Sequence, residues 1–286
     1  MTSRKKNTME SKRRHALTAV IPAAGFGTRM CPLTLGVPKE ILPCGNVTIL
    51  DRVLDEVFSS GVDKAVIVSR QEKTGLVSHF FPPEEVVRSV RSKGSDVSRA
   101  ALERVLSWRE RVVFVNQDRP LGLAHAVSCA LPEVEGSAFV VLPDDLFPDA
   151  GFSKSLVDKH FETGLSVVGV EEVPFEDVVS YGMVKIDDHG SVVGVEEKPA
   201  RDRVVSNLVV AGRLVLSPDV LCDLLPVSFQ EMSEHVARFG EVSLSPCLDR
   251  ACGRGGLMAH KTSQSRFDCG SLDGYARACE HFSNKD

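Results

Sequence analysis

Leu17-Thr18-Ala19-Val20-Ile21-Pro22-Ala23 runs into Ala24-Gly25-Phe26-Gly27-Thr28-Arg29-Met30. A short apolar run that ends in small residues and glycine reads as a fully buried strand feeding a tight loop. Gly25 and Gly27 let backbone N–H groups approach a ligand closely. Thr28 adds a hydroxyl, and Arg29 and Lys39 place two cations beside the same loop. Glycines, amides and cations together describe a polyphosphate site. The loop lacks the GxxxxGK[ST] spacing of a Walker A motif and the GxGxxG spacing of a dinucleotide fingerprint.

Downstream, Thr48 to Ser60 has apolar residues at helical spacing and stops at Gly61. Lys64–Ser69, Arg111–Asn116 and Ser137–Leu142 read as further buried strands. Helical segments separate them at Glu84–Glu110, broken by Gly94, and at Leu121–Ala130. This alternation predicts an α/β fold with a Rossmann-like, mixed but mostly parallel central sheet flanked by helices. Ligands of such sheets sit at the carboxyl ends of the strands. The glycine loop, Gln117–Leu123 and Asp144 all fall there. The second half reads as more β-rich, with strands at Leu165–Val173, Gly182–Ile186, Ser191–Glu196 and Leu208–Leu216, and helices at Glu241–Gly253 and Leu272–Phe282. The expected organisation is a basic, disordered tail (1–16) and one domain (17–286). That domain has a first half (about 17–150) and a smaller second lobe (about 151–286).

The chain has 286 residues, 34 Lys plus Arg against 39 Asp plus Glu, and a net charge of -5. An acidic balance argues against a nucleic-acid partner. No apolar run approaches the ~20 residues of a membrane span. The eight cysteines form no CxxC pair and match no zinc spacing. They read as single thiols of a reducing compartment, so a cytoplasmic location is expected. Cys31 reads as a small half-buried thiol, Trp108 as a packing anchor and His125 as a packing or capping residue.

The combined run GxGTRMxPxTxxxPKExLP, from Gly25 to Pro43, resembles the signature of bacterial sugar-nucleotide pyrophosphorylases. The resemblance extends from about Leu17 to about Phe282. It includes LPDD (142–145), YG (181–182), EEKP (196–199), SNLVVAGR (206–213) and FDCG (267–270) in the family's order. The long charged segment Pro82–Arg111, with SNLVVAGR and FDCG, is similar to the uridylyl branch rather than the thymidylyl branch.

The resemblance implies transfer of a uridylyl group from UTP to glucose 1-phosphate, giving UDP-glucose and pyrophosphate with Mg²⁺. The alternatives are a thymidylyltransferase or another nucleotidyltransferase on the same scaffold, and a non-catalytic nucleotide-sugar sensor. The resemblance further implies that Arg29, Lys39 and Lys198 are catalytic. It places Ala23, Ala24, Gly25, Gly27, Thr28, Arg29, Gln117 and Gly122 on the nucleotide. Gly182, Glu197, Lys198, Asn207 and Val210 fall on the sugar phosphate, and Asp144 and Asp268 on the metal. Gly122 is expected to clear space for the nucleotide, and Asp145 to be a solvated turn or helix-start residue. A nucleotide-binding first half (about 17–150), a sugar-binding and oligomerisation second lobe (about 151–286) and a homodimer or tetramer are also implied. Ser243, Ser245 and Pro246 depart from the family's usual Gln, Thr and Asp. They are expected to bear on the added lobe more than on chemistry, with Pro246 confined to the first turn of a helix.

Overall fold

The structure is a computed structural model and describes residues 16–224, 236–237 and 240–284. The basic tail lies outside the described residues. Strand β1 (Leu17–Pro22) is buried along nearly its whole length because helices cover both faces of the sheet. Its side chains alternate: Ala19 and Ile21 join one core, Val20 the other. Strand β4 (Lys64–Ser69) repeats the pattern, with Ala65 and Ile67 on one side and Val66 and Val68 on the other.

The remaining strands are β2 (Pro43–Cys44), β3 (Val47–Thr48), β5 (Val112–Asn116), β6 (Ser137–Val141), β7 (Asp145–Leu146), β8 (Ser166–Glu172), β9 (Gly182–Ile186), β10 (Val192–Glu197), β11 (Leu208–Leu216), β12 (Leu257–Lys261) and β13 (Phe267–Asp268). Among the described residues, the helices with described bounds are α1 (Ile49–Ser59), α2 (Thr74–Phe80), α3 (Glu84–Lys93), α4 (Asp96–Trp108), α5 (Leu123–Ala130), α6 (Gly151–Thr163), α7 (Pro218–Cys222), α8 (Ser245–Cys252) and α9 (Leu272–Ser283). Among the described residues, no helix is long and apolar enough to cross a membrane.

Strands β5, β4, β1 and β6 lie side by side and parallel, forming the expected centre of the sheet. The chain leaves β1 toward β4 and returns to β6 on β1's other side. The strand order therefore reverses between β1 and β6, which opens a crevice at their carboxyl ends. Strand β11 then runs antiparallel to β6 and carries β8 on its far edge, with β12 parallel to β8. The hairpin β9–β10 joins the first half of β11. One sheet thus continues through both halves of the chain.

Helix α1 is fixed by a capping box: Thr48 accepts from the Asp51 amide, and Asp51 accepts from the Thr48 amide. The charged insertion forms α3 and α4, which meet through Arg91 and Glu103. Trp108 is buried beside Phe58, the packing role its position suggests. Helix α8 begins at Ser245, so Pro246 falls in its first turn. The spacing argument does not pick out α2, α6 or β12.

Candidate active site

The crevice between β1 and β6 opens into a cleft of about 900 Å³, floored by the strand ends and walled by both halves of the chain. The glycine loop forms one wall. Gly27 adopts a positive φ of 68° and starts a single 3-10 turn, Thr28–Met30. Thr34 donates to the Gly27 carbonyl at 2.8 Å and fixes the loop from behind. Arg29 remains two-thirds exposed, with its guanidinium 3.7 Å from Asp268.

A second 3-10 turn, Lys39–Ile41, points neighbouring residues in opposite directions. Lys39 lines the cleft and binds Asp144 Oδ2 at 2.5 Å. Glu40 is fully buried and holds Lys73 through both carboxylate oxygens, at 3.0 and 2.9 Å. Lys73 in turn donates to the Ala23 carbonyl at 2.6 Å. The Lys73–Glu40 pair therefore anchors the base of the glycine loop. Neither partner was singled out from the sequence, although Glu40 belongs to the motif that marked Lys39.

Burial pulls the Lys39 ammonium down, but Asp144 and Glu40 outweigh it, and its pKa is raised. Burial pushes Asp144 up, but Lys39 outweighs it, and the carboxyl stays below its ordinary value. The pair is thus held as an ammonium and a carboxylate.

Asp144 and Asp268 are 124 residues apart in sequence yet face one point. Strands β7 and β13 pair antiparallel with Asp268 opposite Asp145, and the Cys269 amide donates to the Asp144 carbonyl at 2.7 Å. A methyl group at Gly270 would lie 2.9 Å from Asp144 Oδ2, 2.9 Å from Asp268 Oδ1 and 2.6 Å from Arg29 Nη2. Glycine at this position keeps open a cradle lined by two carboxylates and a guanidinium. A donor set of hard oxygens suits a small divalent cation that completes its shell with phosphate oxygens and water.

Asp145 corrects the sequence reading. It is buried rather than solvated, and it binds Arg266 at 2.6 Å. Arg266 also holds Glu171 at 2.5 Å and lines the cleft. Burial and the Asp144 charge push the Asp145 carboxyl up to about 6, against the pull of Arg266. Gly212, at φ 68°, leaves the space that Asp145 Oδ2 fills, since a methyl there would lie 2.1 Å from it. Beneath this loop, the fully buried Arg213 forms a two-pronged pair with Glu56 at 2.7 and 2.8 Å. Arg213 also donates to the Leu142 and Asp145 carbonyls at 3.0 and 2.6 Å, so it holds both ends of the turn that bears Asp144.

Gln117 is buried in the cleft wall, with its amide nitrogen 2.8 Å from His125 Nδ1 and 3.3 Å from the Gly122 carbonyl. His125 therefore orients Gln117, a more specific role than packing or capping. Gly122 takes φ 111°, and a methyl there would lie 2.5 Å from the Val242 amide nitrogen. The clearance serves a neighbouring segment of the protein: Val242 donates to Leu121 at 2.6 Å and accepts from Ala124 at 3.0 Å. Gly122→Ala should strain the backbone, lower stability by about 1–3 kcal/mol and displace this segment. Thermal unfolding together with activity measurements would check it, and an unchanged melting temperature would count against the contact.

The segment after Gly240 is the second departure from expectation. Glu241, Ser243, Leu244 and Ser245 line the cleft itself rather than a remote lobe. Beside this segment, on the same wall, stand Gly182, Glu197, Lys198 and the Val210 side chain. Among the described residues, Lys198 is the one non-glycine position with a positive φ, 43°, and its ammonium lies 3.5 Å from Glu241. Ala24, Gly25, Gly27, Thr28 and the other expected residues share this lining, but Ala23 and Asn207 do not. The Ala23 amide and carbonyl are taken by Val68 and Lys73, and the Asn207 carbonyl by the Val173 amide.

Residues 18–284 match the Nucleotidyl transferase family. The chain belongs to that family. A UTP–glucose-1-phosphate uridylyltransferase of Pseudomonas aeruginosa is 31% identical over 91% of this chain and 93% of the relative. A solved UDP-glucose pyrophosphorylase complexed with UDP-glucose superposes with a TM-score of 0.79 at 26% identity, covering 95% of this chain and 100% of that one. A UTP-bound enzyme from Acinetobacter baumannii does so with a TM-score of 0.81 at 26% identity, covering 95% and 94%. The resemblance in the motifs therefore holds along nearly the whole chain. Nucleotidyltransferases of this family generally use a divalent metal.

Proposed function

We propose that the protein transfers a uridylyl group from UTP to glucose 1-phosphate, releasing pyrophosphate and forming UDP-glucose. The observation that carries this reading is the convergence in one cleft of two carboxylates, Asp144 and Asp268, with Arg29, Lys39 and the Glu197–Lys198 pair. Nucleotide and sugar phosphate then lie end to end, so a phosphate oxygen of the sugar can attack the α-phosphorus in line. The bond to the β-phosphate oxygen breaks, and pyrophosphate leaves. No covalent enzyme intermediate is required, and the cleft's contribution is positioning and charge stabilisation.

In this reading the glycine-loop amides and Thr28 hold the triphosphate. Arg29 and Lys39 offset the charge that grows on the departing pyrophosphate. Gln117, oriented by His125, presents an amide edge to the pyrimidine. Glu197 accepts from sugar hydroxyls, and Lys198 meets the sugar phosphate. Asp144 and Asp268 would hold Mg²⁺, which when bound clamps phosphate oxygens and draws off negative charge. Lys39 keeps Asp144 ionised and oriented for that task.

The test is pyrophosphate release by the purified protein with Mg²⁺, glucose 1-phosphate and either UTP or dTTP. Release with UTP should far exceed release with dTTP, and chelation of the metal should abolish it. Preference for dTTP would assign the thymidylyl reaction instead. Binding of UDP-glucose without any turnover would make the protein a sensor.

A further inference from the structure

Ser245 is buried at the first position of α8, and its hydroxyl donates to Glu197 Oε2 at 2.6 Å. Four residues on, Asp249 accepts from the Val195 amide at 3.2 Å. Ser245 and Asp249 share one helix face, and Val195 and Glu197 lie two apart on β10. Helix α8 is therefore clipped to β10 at two points. One clip holds the main chain. The other holds the carboxylate that faces the cleft. A methyl at Gly182 would lie 3.6 Å from both Glu197 Oε2 and Ser245 Oγ, so the pair and the glycine form one patch of wall.

A free glutamate explores several rotamers, and ordering it on ligand binding is entropically costly. A hydroxyl donor on one carboxylate oxygen removes that freedom in advance. The Asp249 clip holds α8 in place independently, so the Ser245 hydroxyl is not needed to dock the helix. Its remaining effect falls on the carboxylate.

We propose that Ser245 is a positioning residue of the sugar subsite. Its hydroxyl pins Glu197 Oε2 and leaves the other oxygen aimed at the ligand's hydroxyls, so that it sharpens the choice of sugar 1-phosphate. The inference rests on the reading of this cleft as a sugar-phosphate site.

The experiment compares the unaltered enzyme with Ser245→Ala and Ser245→Thr, using glucose 1-phosphate and galactose 1-phosphate with UTP. Ser245→Ala should raise the KM for glucose 1-phosphate about tenfold, the scale of one charge-assisted hydrogen bond. The KM for UTP should stay within about twofold, and the preference for glucose over galactose should narrow. Ser245→Thr, which keeps the hydroxyl, should restore the sugar KM. An unchanged sugar KM in Ser245→Ala, or a parallel rise in both KM values, would overturn the proposal while leaving the proposed reaction standing. Absence of turnover in the unaltered enzyme would overturn both.

Discussion

Lys39→Ala is expected to slow pyrophosphate release by about a hundred- to a thousandfold, the range seen when one preorganised donor to a developing charge is lost. The ammonium sits 2.5 Å from Asp144 with little exposure on either side, 15% and 20%. Two effects act in the same direction. The cleft loses a cation where negative charge grows, and Asp144 loses the partner that holds it ionised and aimed. The loss should fall mainly on kcat, because the residues proposed to hold glucose 1-phosphate, Glu197 and Lys198, are left in place. The fold should survive, since Lys39 stands in a short turn at the cleft wall and the neighbouring Glu40–Lys73 pair remains. Steady-state kinetics beside a circular-dichroism melt would check both statements. A variant with kcat within about threefold of the original enzyme would remove Lys39 from the catalytic machinery.

Arg213→Ala should have the largest effect on stability, about 3–5 kcal/mol in urea unfolding. The pair with Glu56 is almost fully buried, at 0% and 7% exposure, so truncation leaves an unpaired carboxylate in the core. Ser153 also donates to Glu56, but a neutral hydroxyl cannot replace a guanidinium. A second consequence concerns the site. The Leu142 and Asp145 carbonyls lose their common donor, and the turn bearing Asp144 is released. The double variant Arg213→Met with Glu56→Leu separates the two effects. It removes the uncompensated charge and should regain most of the stability, because apolar residues of similar size often replace a buried pair without loss. It cannot restore the hydrogen bonds to Leu142 and Asp145, so turnover should remain low. Recovery of both together would show that Arg213 contributes stability alone.

Local spacing was sufficient for much of the scaffold. The apolar runs of β1, β4, β5 and β6 are unbroken because helices cover both sheet faces, and such runs are legible without tertiary information. Helix α1 announces itself by its cap and its periodic apolar face. Helix α6 is harder to read. Its buried set includes Ser153 and His160 beside Phe152, Leu156 and Val157, so its inner face is partly polar. His160 is satisfied there by Leu165 and Ser137, partners that only the folded chain supplies. Strand β12 is five residues long and reads as half-polar in isolation. Its pairing with β8, some ninety residues earlier, makes it a strand.

The same division runs through the site. Arg29, Lys39, Glu197 and Lys198 are legible because motifs cluster charge beside glycine or proline at strand ends. What they touch is not legible. That Asp144 faces the cradle while Asp145 turns inward follows from the β7–β13 pairing, from Arg266 and from the space above Gly212. That Gly122 makes room for Val242, and that Ser245 reaches Glu197, depends on a segment more than a hundred residues downstream of Gly122 folding across the cleft. Residue type and local order determined the strands, the glycine loop and the list of charges, because backbone sterics and apolar periodicity act over a few residues. Which carboxylate is buried, which is paired and which faces the cleft was decided only by tertiary structure, because charges and hydrogen bonds depend on distances that long-range strand pairing sets.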